Sequence, residues 1–139
     1  MGPTAVGKTA LVIQLSEVLP LEVISVDSRQ IYKGMDIGTG KPNLKELKKI
    51  PHHLVDIRKP NQFYSAAEFK KDAEDCILSI RDRGNFVVCV GGTGLYFKAL
   101  IDGLFDQPLI SNNVREKLKE EAEGADATAL HKRLEQIDP

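Results

Sequence analysis

Apolar and polar positions along the chain predict short strands separated by helices. From Lys8 to Leu19, good helix formers carry apolar residues at 11, 12, 15, 18 and 19, the spacing of an amphipathic helix. Glu22-Val23-Ile24-Ser25-Val26 is a β-branched run that reads as a buried strand and ends in Asp27. Residues 28–40 form a polar, glycine-punctuated crossing. Asn43 to Ile50 reads as a short helix stopped by Pro51, and His53-Leu54-Val55-Asp56-Ile57 as a further strand. The clearest helix opens at Ser65, where Ser65 and Glu68 make a capping-box pattern. Phe69, Ala73, Cys76, Ile77 and Ile80 recur at helical spacing until Gly84 stops the run. Phe86-Val87-Val88-Cys89-Val90 is continuously apolar, which suits a parallel strand covered on both faces. It runs into Gly91-Gly92-Thr93-Gly94, and Leu95 to Ile101 resumes a helix.

After Leu104 no strand can be read. Asn112–Glu123 and Asp126–Ile137 predict two helices of mixed charge, split by Gly124, with a solvated face. The division expected is therefore residues 1–104 as a core and 105–139 as a helical segment. Three readable strands are few for a doubly wound sheet, so the chain is expected to be the N-terminal part of something larger.

Composition narrows the class. The chain has 139 residues, 42% of them hydrophobic and 28% charged, as in soluble α/β domains. A net charge of −1 removes any global basic field, so a nucleic-acid partner must be held by a local patch or by residues outside this chain. Cys76 and Cys89, the only cysteines, read as small hydrophobes rather than a disulfide framework or zinc site. With no signal peptide and no long apolar run, a reduced, cytoplasmic setting without membrane attachment is expected.

The chemistry starts at Gly2-Pro3-Thr4-Ala5-Val6-Gly7-Lys8-Thr9, which matches G-x-x-x-x-G-K-[ST] at every fixed position. Glycines at both ends let the backbone curl so that successive N–H groups face an anion. Lys8 adds a mobile positive charge, and the Thr9 hydroxyl is placed to ligate Mg²⁺. The helix that follows aims its positive end at the phosphate. Such a loop normally follows a buried strand; only Met1 precedes it, so a first strand is expected to be lacking. The fold class expected is α/β, an incomplete P-loop NTPase-like parallel sheet with flanking helices, followed by the helical segment.

Ligands of an open parallel sheet collect beyond the carboxyl ends of its strands. Asp27 ends one strand there and Thr93 follows another. Asp27 suits a Walker-B-like Mg²⁺ holder, a general base beside the phosphate, or the cap of the next turn. The Thr93 hydroxyl suits a bond to a leaving oxygen, a hold on the Asp27 carboxylate, or a helix N-cap. His52 and His53 read as edge-of-strand histidines, and Tyr32, Tyr64 and Tyr96 as half-buried packing rather than base-stacking platforms.

Five ordered motifs, taken together, resemble the tRNA dimethylallyltransferases, also called tRNA isopentenylpyrophosphate transferases. They are Gly2–Thr9, Asp27-Ser28-Arg29-Gln30-Ile31-Tyr32, Gly38-Thr39-Gly40-Lys41-Pro42, Pro51-His52-His53-Leu54 and Gly91-Gly92-Thr93-Gly94-Leu95-Tyr96, with Arg115 at a further matching position. The resemblance implies transfer of a dimethylallyl group from dimethylallyl diphosphate to N6 of the adenine on the 3′ side of the anticodon in tRNA. It implies that Gly2, Pro3, Thr4, Ala5, Val6, Gly7, Lys8 and Thr9 hold the diphosphate, with Mg²⁺ at Thr9. It further implies Asp27 as the base and Thr93 as the group positioning the amine or a bridging oxygen. Ser28, Arg29 and Gln30 then line the adenine pocket, and Asp27, Thr93 and Arg115 join them in contacting the anticodon stem-loop. The second segment would begin a tRNA-gripping insertion. The expected state is a monomer, and this polypeptide by itself is expected to be inactive or nearly so. Two rival classes share parts of the pattern: a P-loop small-molecule kinase, which needs ATP, and a nucleotide-gated binding module without catalysis.

Overall fold

The computed structural model describes residues 1–2, 6–104, 110–124 and 128–138. The chain divides into two compact units, Met1–Leu104 and Phe105–Pro139. The first unit runs α1 (Lys8–Ser16), β1 (Leu21–Val26), α2 (Leu44–Lys49), β2 (His52–His53), α3 (Ala66–Asp82), β3 (Phe86–Gly91) and α4 (Gly94–Ile101). Its three strands form a parallel sheet in the order β2-β1-β3, so the helices between them are crossovers. The second unit contains α5 (Asn112–Gly124) and α6 (Ala129–Ile137), tied by an ion pair between Arg133 and Glu121 at 3.1 Å.

β1 is central and buried at all six positions. Its alternation feeds two cores. Ile24 and Val26 join Ile31, Leu54, Tyr64, Phe69, Ala73, Ile80 and Tyr96 on the α3–α4 side, where Phe69 and Tyr96 stack at 4.3 Å. Leu21 and Val23 join Val12 and Ile50 on the α1 side. Ile31, read as part of a polar crossing, is fully buried in the first core.

The predicted capping box at the start of α3 forms, and a second one, not read from the sequence, starts α2. Ser65 and Glu68 cap α3, and Asn43 and Glu46 cap α2. Gly84 follows α3 at φ 77°, the left-handed conformation that ends a helix. At the carboxyl edge, Gly91 lies opposite Val26, where a Cβ would overlap the Val26 backbone. Only glycine lets β1 and β3 approach there.

Three expectations need correction. The strand at 53–57 is only His52–His53, because Leu54 and Asp56 take left-handed φ values of 61° and 56° that an extended ladder cannot include. β3 is not covered on both faces: Phe86 is 58% exposed and residues 87–90 are half-buried, since β3 is an edge strand among the described residues. Of the apolar positions of α1 and its extension, only Val12 is buried; Leu11 and Val18 are 66% and 76% exposed, because α1 meets the sheet through Val12 and Ile13.

Candidate functional site

A cleft of about 350 Å³ opens on the α1 side of the sheet. Gly7, Lys8 and Thr9 line one wall. Asp27 and Gln30 from the end of β1, Thr39, Gly40 and Pro42 from the following loop, and Gly91 from β3 line the rest. Val23 and Ser25 form its floor together with Val12, because odd-numbered residues of β1 point to this face.

Gly7 sits at the start of α1 with φ 86°, and no side chain caps the helix. The N-cap is a glycine, so the positive end of α1 reaches the cleft wall formed by Gly7, Lys8 and Thr9 with no capping side chain from that position. Lys8 curls back and its Nζ donates to the Gly2 carbonyl at 2.7 Å. Gly2 in turn donates its N–H to the Gly91 carbonyl at 3.4 Å, tying the loop to the sheet edge. Pro3, Thr4 and Ala5 lie outside the described residues; Val6 is exposed.

Asp27 Oδ1 accepts the backbone N–H groups of Arg29 at 2.9 Å and Gln30 at 3.3 Å. The carboxylate thus caps the turn after β1 and also faces the cleft. Thr93 occupies the N-cap position of α4 without making a side-chain cap. Its Oγ1 instead accepts the Ser28 N–H at 2.9 Å and lies 3.3 Å from Ser28 Oγ. Its hydroxyl holds the residue next to Asp27 rather than the carboxylate itself. Ser28, Arg29 and Thr93 are not among the residues lining the cleft. Arg29 is exposed, and Arg115 lies in α5 of the second unit.

Gln30 does more than line a wall. Its Oε1 accepts from Ser25 Oγ at 2.8 Å, while its Nε2 donates to the carbonyls of Thr39 at 3.3 Å and Gly40 at 2.9 Å. This amide straps the 36–41 loop to β1. The same loop is pinned from behind by Lys41, whose side chain is 4% exposed. All three ammonium protons have acceptors: Tyr32 O at 2.8 Å, Asp36 Oδ1 at 2.7 Å and Asp56 Oδ1 at 2.7 Å. Burial by itself would lower the Lys41 pKa, but the two carboxylates hold it above the usual lysine value.

Sequence reasoning missed these struts, and it missed Ser25, Thr39, Glu46 and His52 as cleft residues. His52 donates through Nδ1 to the Ile50 carbonyl at 2.8 Å, and burial pushes its pKa below the usual histidine value. The signal available was positional: His52 pairs with Val23, so its neighbours share the cleft face of β1. Tyr64 and Tyr96 are buried packing groups. Among the described residues, no cluster of three or more His, Cys, Asp or Glu could enclose a metal. The oxygens that could hold a hard cation such as Mg²⁺ are the half-buried Thr9 hydroxyl and the Asp27 carboxylate, which line one cleft. No helix of the described residues is long and apolar enough to cross a membrane.

Residues 30–139 match the family model described as IPP transferase. Solved structures agree. A full-length tRNA isopentenylpyrophosphate transferase from Bacillus halodurans is 42% identical with a TM-score of 0.73, over 99% of this chain and 46% of that one. A tRNA delta(2)-isopentenylpyrophosphate transferase from Staphylococcus epidermidis is 44% identical with a TM-score of 0.69, over 96% and 44%. A eukaryotic dimethylallyltransferase acting on tRNA is 32% identical with a TM-score of 0.79, over 99% and 34%. The chain spans less than half the length of each of these relatives. A parallel α/β sheet with this loop order, a family match over most of the sequence and this degree of identity place the chain in the IPP transferase family.

Proposed function

We propose that this chain carries the reacting centre of a tRNA dimethylallyltransferase, which moves the dimethylallyl group of dimethylallyl diphosphate to N6 of the adenine 3′ to the anticodon. The observation that carries the reading is a single cleft in which Gly7, Lys8 and Thr9 face Asp27. An anion cradle and a carboxylate on one cleft are what an alkylation with a diphosphate leaving group needs.

In this reading the diphosphate lies against the start of α1, and Lys8 turns from the Gly2 carbonyl to its oxygens. The adenine, extruded from its stack, enters beside Asp27 and Gln30. N6 attacks C1 of the dimethylallyl group; the C1–N6 bond forms as the C1–O bond breaks, and the diphosphate leaves with the bonding pair. The N6 proton passes to Asp27. Two backbone N–H groups already occupy Oδ1, which leaves Oδ2 to take it. Thr93 acts one step back, fixing Ser28 and so the turn that carries Asp27. Thr9 would hold a Mg²⁺, which when bound supplies charge neutralisation to the departing oxygens. Ser28 and Arg29 sit at the rim toward the RNA, and Arg115 contacts it from the helical segment.

The test is ligand choice joined to turnover in the natural protein. Dimethylallyl diphosphate is expected to raise the Tm well beyond the effect of ATP at equal concentration, and labelled prenyl groups are expected on tRNA. Protection by ATP alone, with phosphate rather than prenyl transferred, would establish the kinase alternative.

A further inference from the structure

The cleft is bordered by a charge distribution that the chain as a whole does not have. Residues 28–50 hold six basic side chains (Arg29, Lys33, Lys41, Lys45, Lys48, Lys49) against two acidic ones (Asp36, Glu46), a local excess of four positive charges in a chain of net charge −1. Both acids already have partners, although Asp36 itself stays 67% exposed. Asp36 is engaged by the buried Lys41. Glu46 accepts the Asn43 N–H at 2.7 Å in the α2 cap and lines the cleft.

Lys33, Lys45, Lys48 and Lys49 are exposed and make no ion pair among the described residues. Elsewhere in the first unit some bases find acids, as Arg83 does with Glu22, Arg58 with Asp72 and Lys70 with Glu74, while Lys59, Lys71, Arg81 and Lys98 do not among the described residues. What sets the α2 lysines apart is their one-sided spacing beside the cleft. Within α2, Lys45, Lys48 and Lys49 stand at i, i+3 and i+4, which puts all three on one side of the helix. Lys48 and Lys49 suit the negative end of the helix dipole, but Lys45 stands in the first turn, where a positive charge is unfavourable, and repels Lys49. Helix stability therefore does not account for the stripe. Glu46 faces the cleft and Ile50, the C-cap, is buried, so the exposed lysines flank the cleft-facing side of α2. The adjoining loop is held by the Gln30 strap and the Lys41 hub, and it offers Ile37 at 97% exposure, with Leu44 at 77% at the head of α2.

We infer that the lysine stripe of α2, with Lys33, is a docking surface for the sugar–phosphate backbone of the RNA on the approach to the cleft. This rests on the proposed function. The surface matches a polyanion: unpaired cations of one sign, with fixed spacing, beside the opening that admits the base. It carries no base-edge readout, so it adds affinity and orientation without sequence preference.

The experiment is a salt titration of tRNA binding to the natural protein and to a Lys45→Gln/Lys48→Gln/Lys49→Gln variant, with Tm as a check on folding. The plot of log Kd against log salt is expected to lose a slope of about 2–3, and affinity near 0.1 M salt to fall about tenfold or more. The KM for tRNA rises while the KM for dimethylallyl diphosphate holds. Lys→Arg replacement at the same three positions restores the slope. An unchanged slope in an enzyme that still prenylates tRNA would overturn the docking surface alone. A natural protein that transfers no prenyl group to tRNA would overturn the function on which it rests.

Discussion

The two faces of β1 are built for different tasks. Its even-numbered residues meet α3 and α4, where Ile24, Val26, Phe69, Ala73, Ile80 and Tyr96 fill a core and the buried carboxylate is answered from within. That carboxylate is Glu22. It is 4% exposed and receives Arg83 through Nε and Nη2 at 2.9 and 2.8 Å, Asn85 at 2.7 Å and His53 at 2.6 Å. The odd-numbered residues meet a thinner apolar layer of Val12, Leu21, Val23 and Ile50, and above it the cleft. There the polar groups are held in place by backbone, as Asp27 and Gln30 are, yet face open space. One face carries a packed core and the other lines the cleft for which the chemistry is proposed, and both hang on the same strand.

This contrast breaks most sharply at Asp27. Asp27→Asn keeps an acceptor for the N–H groups of Arg29 and Gln30, so the turn after β1 stands. What is lost is the ability to take a proton. Prenyl transfer by the natural protein is expected to fall about 10²–10⁴-fold in kcat, with little change in Tm. A large Tm loss with activity per folded molecule preserved would make Asp27 a structural cap, as its hydrogen bonds alone would allow.

The opposite face breaks at Glu22. Hydrogen bonding to Arg83, against the cost of burial and helped by Asn85 and His53, holds the Glu22 carboxyl at about 2 rather than the ordinary 4.5. Glu22→Gln removes the charge and leaves three donors poorly matched, a loss of about 2–3 kcal/mol in stability. Because the folded pKa lies below the unfolded one, that contribution is fully present above about pH 4.5 and is lost as pH falls toward 2. The Tm gap between the natural protein and the variant is therefore expected to be widest above pH 5 and to close by pH 2, while the KM for dimethylallyl diphosphate at neutral pH holds. A gap independent of pH would mean that shape, not charge, is what Glu22 supplies.

The same division explains what could be read from the sequence. Features fixed within a few residues were legible. Both helices with a capping pattern start where Asn43 and Ser65 place them, β1 and β3 follow from their β-branched runs, and Gly7 and Gly84 take the left-handed conformations their positions require. Features fixed by distant partners were not. Glu22 interrupts an apolar strand for the sake of residues 31 to 63 positions away. The strand at 53–57 ends early because Asp56 turns to meet Lys41, and no local pattern announces a left-handed Leu54. At the site, the motif and the strand-end position of Asp27 placed Gly7, Lys8, Thr9 and Asp27 at one crevice, which they line, whereas Thr93, expected there too, holds Ser28 instead. The Gln30 strap stayed hidden because it holds backbone carbonyls, which leave no mark in a sequence, and the Lys41 hub because its two carboxylates, Asp36 and Asp56, come from irregular segments with no periodic pattern.

The smallest effects separate the faces most cleanly, since the two capping boxes are alike in chemistry and lie on different sides. In α3, Ser65 Oγ accepts the Glu68 N–H at 3.1 Å and Glu68 returns a carboxylate to the Ser65 N–H at 2.8 Å. In α2, Asn43 Oδ1 accepts from Lys45 and Glu46 at 2.9 and 3.1 Å, and Glu46 returns its carboxylate at 2.7 Å. Removing either cap with alanine costs about 1 kcal/mol at its own helix. Ser65→Ala should lower the Tm slightly and leave tRNA affinity alone, because α3 supplies packing. Asn43→Ala should change Tm less, since a six-residue helix buries little, but should weaken tRNA binding by severalfold as the lysine face loses its fixed direction. Measured side by side, a tRNA affinity that follows Ser65 rather than Asn43 would mean that the faces have been assigned the wrong way round.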